Sequence, residues 1–152
     1  MNSVDQPITI LMAEDDADDR LLAAEALTEN YLVYDLRFVE DGEELMAYLR
    51  RQGNYSLPAV APRPMLILLD LNMPRKDGRE ALAEIKTDPQ LKQIPIVVFT
   101  TSADQKDIYQ SYDLGANSFI TKPASFDDLV NVLRWLERYW FGLVKLPPAT
   151  VV

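Results

Sequence analysis

The chain of 152 residues contains no cysteine. Disulfides, thiolate nucleophiles, Cys-ligated zinc and iron–sulfur clusters are therefore excluded. It contains no histidine either, which removes the Ser-His-Asp triad, the imidazole metal ligand and the commonest general base. Positive charge is scarce: 15 Lys and Arg stand against 24 Asp and Glu, a net charge of -9. Sequence-independent binding of nucleic acid needs cationic side chains to displace counterions, and an anionic membrane surface asks for the same. Neither partner is expected. No apolar stretch approaches the roughly 20 residues of a membrane span. The start, MNSVDQPITILMAEDD, has no basic segment and too short an apolar run for a signal peptide. A soluble, cytoplasmic protein is expected, whose chemistry must run on carboxylates, hydroxyls, amides and lysine.

What is present is ordinary for a globular protein: 48% hydrophobic and 26% charged residues, in a length that suits one domain with one sizeable core. Short apolar runs alternate with longer amphipathic stretches. Ile8–Ala13, Met65–Leu69 and Ile96–Phe99 read as strands buried on both faces. Ser118–Thr121 is a weaker run, and Tyr34–Val39 resembles an edge strand. Helical periodicity covers about residues 17–29, 41–52, Gly78–Lys86, Asp104–Leu114 and Ser125–Leu143. Gly115 is placed to close the fourth helix. Ser125 is placed to cap the fifth, with Asp127 and Asp128 in its first turn. Strict strand–helix alternation implies a parallel α/β sheet covered on both faces. The connector from Gln52 to Pro64 holds Pro58, Pro62 and Pro64 and is expected to be an extended surface loop. Residues 1–145 are expected to form the domain, and 146–152 a frayed tail or arm.

In an open parallel sheet, ligands bind beyond the carboxyl ends of the strands. The first strand runs into Glu14-Asp15-Asp16, the third ends at Asp70, the fourth at Thr100-Thr101-Ser102, and Lys122-Pro123 follows the fifth. Each has a plainer reading when taken alone. Acidic residues cap helices and complement their dipoles, which is the expectation for Asp18 and Asp19. Asp opens turns, and Thr is a good β-former. Four coincident strand ends carry more than any one of them. If they converge, clustered carboxylates require a cation, and hard oxygen ligands suit Mg²⁺. Such an ion beside Lys and Thr suits a phosphoryl group, whose transfer is mainly positioning and charge neutralisation. One carboxylate could itself be the acceptor.

These residues, in this order, resemble the receiver domains of two-component response regulators. The matching motifs are Ile10-Leu-Met-Ala-Glu-Asp-Asp16, Leu68-Leu-Asp-Leu-Asn-Met-Pro74 with Asp77-Gly78, Ile94-Pro-Ile-Val-Val-Phe-Thr100, and Gly115-Ala-Asn-Ser-Phe-Ile-Thr-Lys-Pro123. The resemblance runs from about Ile8 to Leu143. It implies a flavodoxin-like five-stranded sheet of order 2-1-3-4-5. It also implies that Asp70 accepts the phosphoryl group, that Asp15 binds Mg²⁺ directly with Glu14 acting through water, and that Asn72 offers its carbonyl to the ion. Thr100 and Lys122 would bind the phosphoryl oxygens, and Phe119 would be the aromatic switch. A cis Lys122–Pro123 bond is implied too. So is a sensor histidine kinase as partner: the donor is a phosphohistidine, and this chain has no histidine to supply it. The protein is thus expected to be no enzyme beyond accepting and slowly losing the group.

The chain ends soon after its fifth helix, so a DNA-binding or enzymatic output domain is not expected, and signalling would go by protein contacts. At 100° per residue, Phe126, Leu129, Val130, Leu133, Leu136 and Trp140 form a stripe that should face the sheet. Val132, Trp135, Tyr139 and Leu143 form a second stripe to one side. A helix in a monomer rarely buries so wide an arc, so a homodimer through the fifth helix is expected. The alternative is a terminal segment folded back over its own domain. The long connector and this extended C-terminal helix resemble the small regulators paired with bacterial phytochrome kinases. Three other functions compete. A scaffold that never uses phosphate is opposed by the intact set Asp15, Asp70, Thr100 and Lys122. An aspartyl phosphatase would want a second acid where Asn72 stands. A flavin carrier would want a phosphate-cradling loop, not five acidic residues within positions 14–19.

Overall fold

Each apolar run forms a strand. The computed structural model describes residues 8–28 and 34–148. Within them lie β1 (Ile8–Ala13), α1 (Ala17–Thr28), β2 (Tyr34–Val39), α2 (Gly42–Arg50), β3 (Leu66–Leu69), α3 (Gly78–Thr87), β4 (Ile96–Thr100), α4 (Gln105–Asp113), β5 (Ser118–Thr121) and α5 (Phe126–Glu137). All neighbouring strands pair in parallel in the order β2-β1-β3-β4-β5, the flavodoxin-like doubly wound topology. The expected end of α1 at residue 29 and tail residues 149–152 lie outside the described residues.

Alternation along the strands builds two cores, because successive side chains point to opposite faces. Leu11, Ala13, Ile67, Leu69, Ile96 and Val98 pack under Leu45 of α2 and Leu82 and Ile85 of α3. Ile10, Met12, Leu66, Leu68, Val97 and Phe99 pack under Ala23 and Ala26 of α1 and Leu129, Val130 and Leu133 of α5. Side-chain caps start the helices. Asp16 accepts from the N–H groups of Asp18 and Asp19, Asp77 from Arg79 and Glu80, Asp104 from Lys106, and Ser125 from Asp128. Each satisfies a donor that the helix leaves unpaired. Gly115, at φ 110, follows α4 as expected.

The extended fifth helix runs to Leu143 as expected, α-helical to Glu137 and π-helical over Arg138–Leu143, and Trp140 packs, with Phe141, against the α1/α5 core. Three expectations need correction. Phe126 is not buried against the sheet but exposed: as the first residue of α5 it stands at the open end of the α1/α5 layer, on the wall of a small cavity shared with Leu22 and Lys122. The 52–64 connector is not extended. It coils through a 3₁₀ turn at Gly53–Tyr55, buries Ala61, and is held by bonds from Arg51 to the Ala61 carbonyl and from the Tyr48 hydroxyl to the Pro62 carbonyl. Finally, the described residues hold no cis peptide bond. Lys122–Pro123 is trans, the form that X-Pro bonds intrinsically favour, and Lys122 still reaches its carboxylate partners. Pro147 and Pro148 of the tail lie beside Thr9, Asp35 and Met65, against the N-terminal end of the sheet.

Candidate functional site

The strand order puts its switch point between β1 and β3, where successive crossovers leave in opposite directions and open a crevice at the carboxyl ends. Two backbone bonds define that crevice. The Glu14 N–H donates to the Val39 carbonyl (2.9 Å), and the Asp70 N–H donates to the Ala13 carbonyl (3.1 Å). Both carboxylates thus stand directly beyond their strands. Gly78 closes the crevice from α3. A Cβ there would lie 2.1 Å from the Asp70 carbonyl oxygen, so no side chain can occupy that position without moving the Asp70 backbone.

Glu14 and Asp70 are buried, whereas Asp15 is exposed. Carboxylate oxygens of Glu14, Asp15 and Asp70 all lie within 4.8 Å of one another. Ligands bound directly to one Mg²⁺ stand at most about 4.2 Å apart, so these three can surround one ion without all touching it directly. The donors are all hard oxygens, which fits such a cation. Lys122 reaches into the same cluster. Its Nζ donates to Glu14, to Asp19 Oδ2 (3.0 Å) and to Asp70 Oδ2 (3.3 Å). Asn72, two residues beyond Asp70, donates its backbone N–H to Asp70 Oδ1 (3.2 Å).

Burial pushes the Glu14 carboxyl up to about 7, although the hydrogen bond and charge of Lys122 pull it down and the neighbouring Asp70 charge adds to the rise. Burial works against the Lys122 ammonium. The hydrogen bond to Glu14 and the charges of Asp70 and Glu14 outweigh it and raise its pKa above the usual lysine value. Four carboxylates against one ammonium leave an excess of negative charge, which favours a bound cation.

Thr100, at the end of β4, is fully buried, and its Oγ1 has no hydrogen-bond partner. A buried hydroxyl left unpaired costs about 1–3 kcal/mol, a cost that an oxygen of a bound group would remove. The Lys122 N–H donates to the Thr100 carbonyl at 2.7 Å, so the two residues share one backbone junction. Phe119 pairs in register with Val98 and packs against the α2/α3 core. Thr100, two residues beyond Val98, lies on the same face as Phe119. The Phe119 N–H donates to the Tyr112 hydroxyl (3.1 Å).

The strand-end residues singled out in the sequence therefore meet. Val132, Trp135, Tyr139 and Leu143 lie apart from them, on the α5 face. Val132 is half-buried, and the other three are 66%, 50% and 74% exposed. With Ile120 and Trp140, the first three line a shallow groove of about 600 Å³. Asp19, expected only to start a helix, is a partner of Lys122. No local signal marked it, because its partner lies 103 positions away in the chain. A second set went unread: Ser102 donates to Asp107 (2.7 Å), which also accepts from Arg79 (2.8 Å), pinning the β4–α4 turn to α3. The Arg79 hydrogen bond, followed by that of Ser102, holds the Asp107 carboxyl below the usual aspartate value.

Residues 10–134 match the response regulator receiver domain. The chain is 45% identical to response regulator Rcp1 of Synechocystis over 143 residues, which is 94% of this chain and 95% of that protein. The crystal structure of the phosphorylated cyanobacterial phytochrome response regulator RcpA superposes with a TM-score of 0.88 at 47% identity, covering 93% of this chain and 99% of that one. The Mn²⁺-bound form of Rcp1 superposes with a TM-score of 0.86 at 44% identity, over 93% and 100% of the two chains.

Proposed function

The chain belongs to the response regulator receiver domain family, and from that premise we propose that it is a phosphoacceptor whose Asp70 takes a phosphoryl group from a partner's phosphohistidine. The donor must come from another chain, because this one has no histidine. A sensor histidine kinase is that partner. The likeness to phytochrome response regulators supports a kinase of the phytochrome class.

In the transfer, an Asp70 carboxylate oxygen forms a bond to phosphorus as the phosphorus–imidazole nitrogen bond breaks. The departing imidazole nitrogen takes a proton from solvent and leaves as the neutral base, and Asp70 is left as an acyl phosphate. Asn72 and Lys122 orient the attacking carboxylate from its two oxygens. Lys122 can then pass from Asp70 to the phosphoryl oxygens, and the unpartnered Thr100 hydroxyl can donate to another. Asp15, Asp70 and the Asn72 carbonyl, with Glu14 through water, would hold a divalent ion, which would neutralise the charge that gathers on the phosphoryl oxygens. The oxygen donor set supports Mg²⁺, as does the Mn²⁺-bound form of the relative Rcp1.

Asn72 is no general acid or base, so release of the group is slow and no further enzymatic activity follows. Movement of Thr100 toward the phosphoryl group opens space for Phe119 to turn inward, converting charge into shape on the α4–β5–α5 face. The exposed Trp135, Tyr139 and Leu143, with Val132, make that face a homodimer interface. An acidic chain without a described helix able to cross a membrane fits work in the cytoplasm through protein contacts rather than on nucleic acid. The observation that carries this reading is the Asp70 carboxylate held between the Lys122 ammonium and the Asn72 backbone N–H. Incubation with acetyl phosphate and Mg²⁺ tests it: the chain should gain one phosphoryl group, and Asp70→Asn should gain none.

A further inference from the structure

At the N-terminal end of the strands, remote from the carboxylates, three arginines line one cleft of about 440 Å³. The end of α2 contributes Arg50 and Arg51, and the connector contributes Arg63 just before Pro64. The turn between α3 and β4 forms the remaining wall. Among the described residues that line it, Asp88 is the one acid. In a chain of net charge -9, three guanidiniums to one carboxylate reverses the prevailing sign, and concave low-dielectric walls concentrate such a field.

Part of this positive charge has local work. The Arg51 Nε donates to the Ala61 carbonyl (3.2 Å), and Arg63 Nη1 donates to the Gln90 carbonyl (2.9 Å). Arg50 stands 3.5 Å from Glu84 and 3.7 Å from Asp88, beyond good hydrogen-bonding distance for the latter. The carbonyl end of α2 is also electronegative, and arginines near it are favoured for that reason alone. Yet Arg51 and Arg63 each hold one such bond out of five N–H donors. The bonds anchor two planar forks at the cleft, with further donors unspent. Arg51 does this from a left-handed backbone (φ 52, ψ 53), a conformation at a helix end that suits glycine far better.

Beneath the arginines the floor is closed: Tyr48, Ala61, Leu91 and Ile94 are buried there, and the Tyr48 hydroxyl is turned to the Pro62 carbonyl (2.8 Å). What the cleft presents is therefore its arginine forks, in a volume that admits a small molecule. We propose that this cleft binds a small anion, whose phosphate or carboxylate is taken by Arg51 and Arg63. The planar fork of arginine pairs with either anionic group in bidentate fashion.

Phenyl phosphate, benzoate, inorganic phosphate and phenol separate the parts, since the first two share one apolar body. Each is titrated without Mg²⁺ into the full chain and followed by two-dimensional amide NMR. Phenyl phosphate or benzoate should shift the Arg51, Gln52, Ala61 and Leu91 amides saturably, in about the millimolar range or tighter. Which of the two binds tells phosphate from carboxylate. Inorganic phosphate should shift the same amides, and phenol, uncharged at neutral pH, should shift none of them. Arg51→Gly, which suits the backbone but gives up the bond to Ala61, and Arg63→Gln, which keeps a donor for Gln90, should together weaken binding about tenfold or more, with amide shifts outside the 51–64 segment unchanged. The proposal is overturned if neither organic anion gives saturable shifts at the cleft, if the shifts fall on Asp70, Thr100 and Lys122 instead, or if the double variant binds equally well.

Discussion

Lys122 Nζ lies 3.3 Å from Asp70 Oδ2 on a lysine side chain only 7% exposed. The same ammonium also serves Glu14 and Asp19, so a single positive charge holds three carboxylates at the mouth of the sheet. Its removal should be felt twice. Lys122→Met leaves the buried acids unpaired, which should lower stability by about 3 kcal/mol in the absence of a divalent ion. Labelling by acetyl phosphate should fall by about two orders of magnitude, the scale of losing one preorganised electrostatic contact. Thermal unfolding with and without Mg²⁺ checks the first effect: the ion should raise the melting temperature of the variant more than that of the parent.

Thr100→Val should separate stability from function. The parent hydroxyl is buried and unpartnered, so exchanging it for a methyl should leave stability unchanged or raise it by about 1 kcal/mol. Binding of beryllofluoride, a phosphoryl mimic, should weaken by about tenfold, the value of one hydrogen bond to a charged group. A loss of stability without a loss of mimic binding would place the Thr100 hydroxyl outside the site.

Gly78→Ala should be costly for a reason confined to one contact. The new methyl would meet the Asp70 carbonyl at 2.1 Å, and such overpacking costs about 1–3 kcal/mol. Because the backbone that must yield carries Asp70, phosphoryl acceptance should drop along with stability. Urea unfolding and acetyl phosphate labelling of the same sample would show the two falling together.

The Glu14 carboxyl predicts a pH dependence with a definite sign. Its folded pKa, about 7, lies above the ordinary value of 4.5. Between those values the folded state holds a proton that the unfolded state has lost. The contribution of Glu14 is thus most favourable below pH 4.5 and is lost as pH rises through 7. A bound cation favours the ionised form, so Mg²⁺ binding should release a proton, and affinity should grow as pH rises from about 6 to 8. Calorimetry in buffers of different ionisation enthalpy measures that proton. In Glu14→Gln the release should vanish.

Much of this was legible in the sequence because buried parallel strands leave it little freedom. Runs such as Ile96–Phe99 have no reading but interior ones, and the polar residues that stop them, Asp70 and Thr100, must then meet at one end of the sheet. What was not legible depends on contacts between distant segments. Asp19 looks like any acidic helix start until Lys122, over a hundred positions away, is placed beside it. The turn to a π-helix at Arg138 carries no signal in a periodicity that assumes 3.6 residues per turn. The proline-rich connector looked extended because prolines carry no N–H to donate, yet its other residues close short turns, Tyr55 to Gln52 and Ala61 to Leu57, and Arg37, Tyr48 and Arg51 tie it down from outside.

The α5 face offers a further check. Trp135 is 66% exposed, with Arg138 stacked 5.3 Å from its ring. Trp135→Glu should leave the fold intact, since exposed positions tolerate substitution within about 0.5 kcal/mol. If α5 forms the dimer, sedimentation should show the variant as a monomer under conditions in which the parent is dimeric. A variant that sediments like its parent would remove Trp135 from the interface.

Chemical trapping of the acyl phosphate tests the account most directly. After exposure to acetyl phosphate and Mg²⁺, borohydride reduces an aspartyl phosphate to homoserine, which peptide mass mapping locates by residue. The account predicts homoserine at position 70, dependent on the divalent ion and absent after treatment with a chelator. Homoserine at Asp15 or another acid, or an equal yield without the ion, would contradict it.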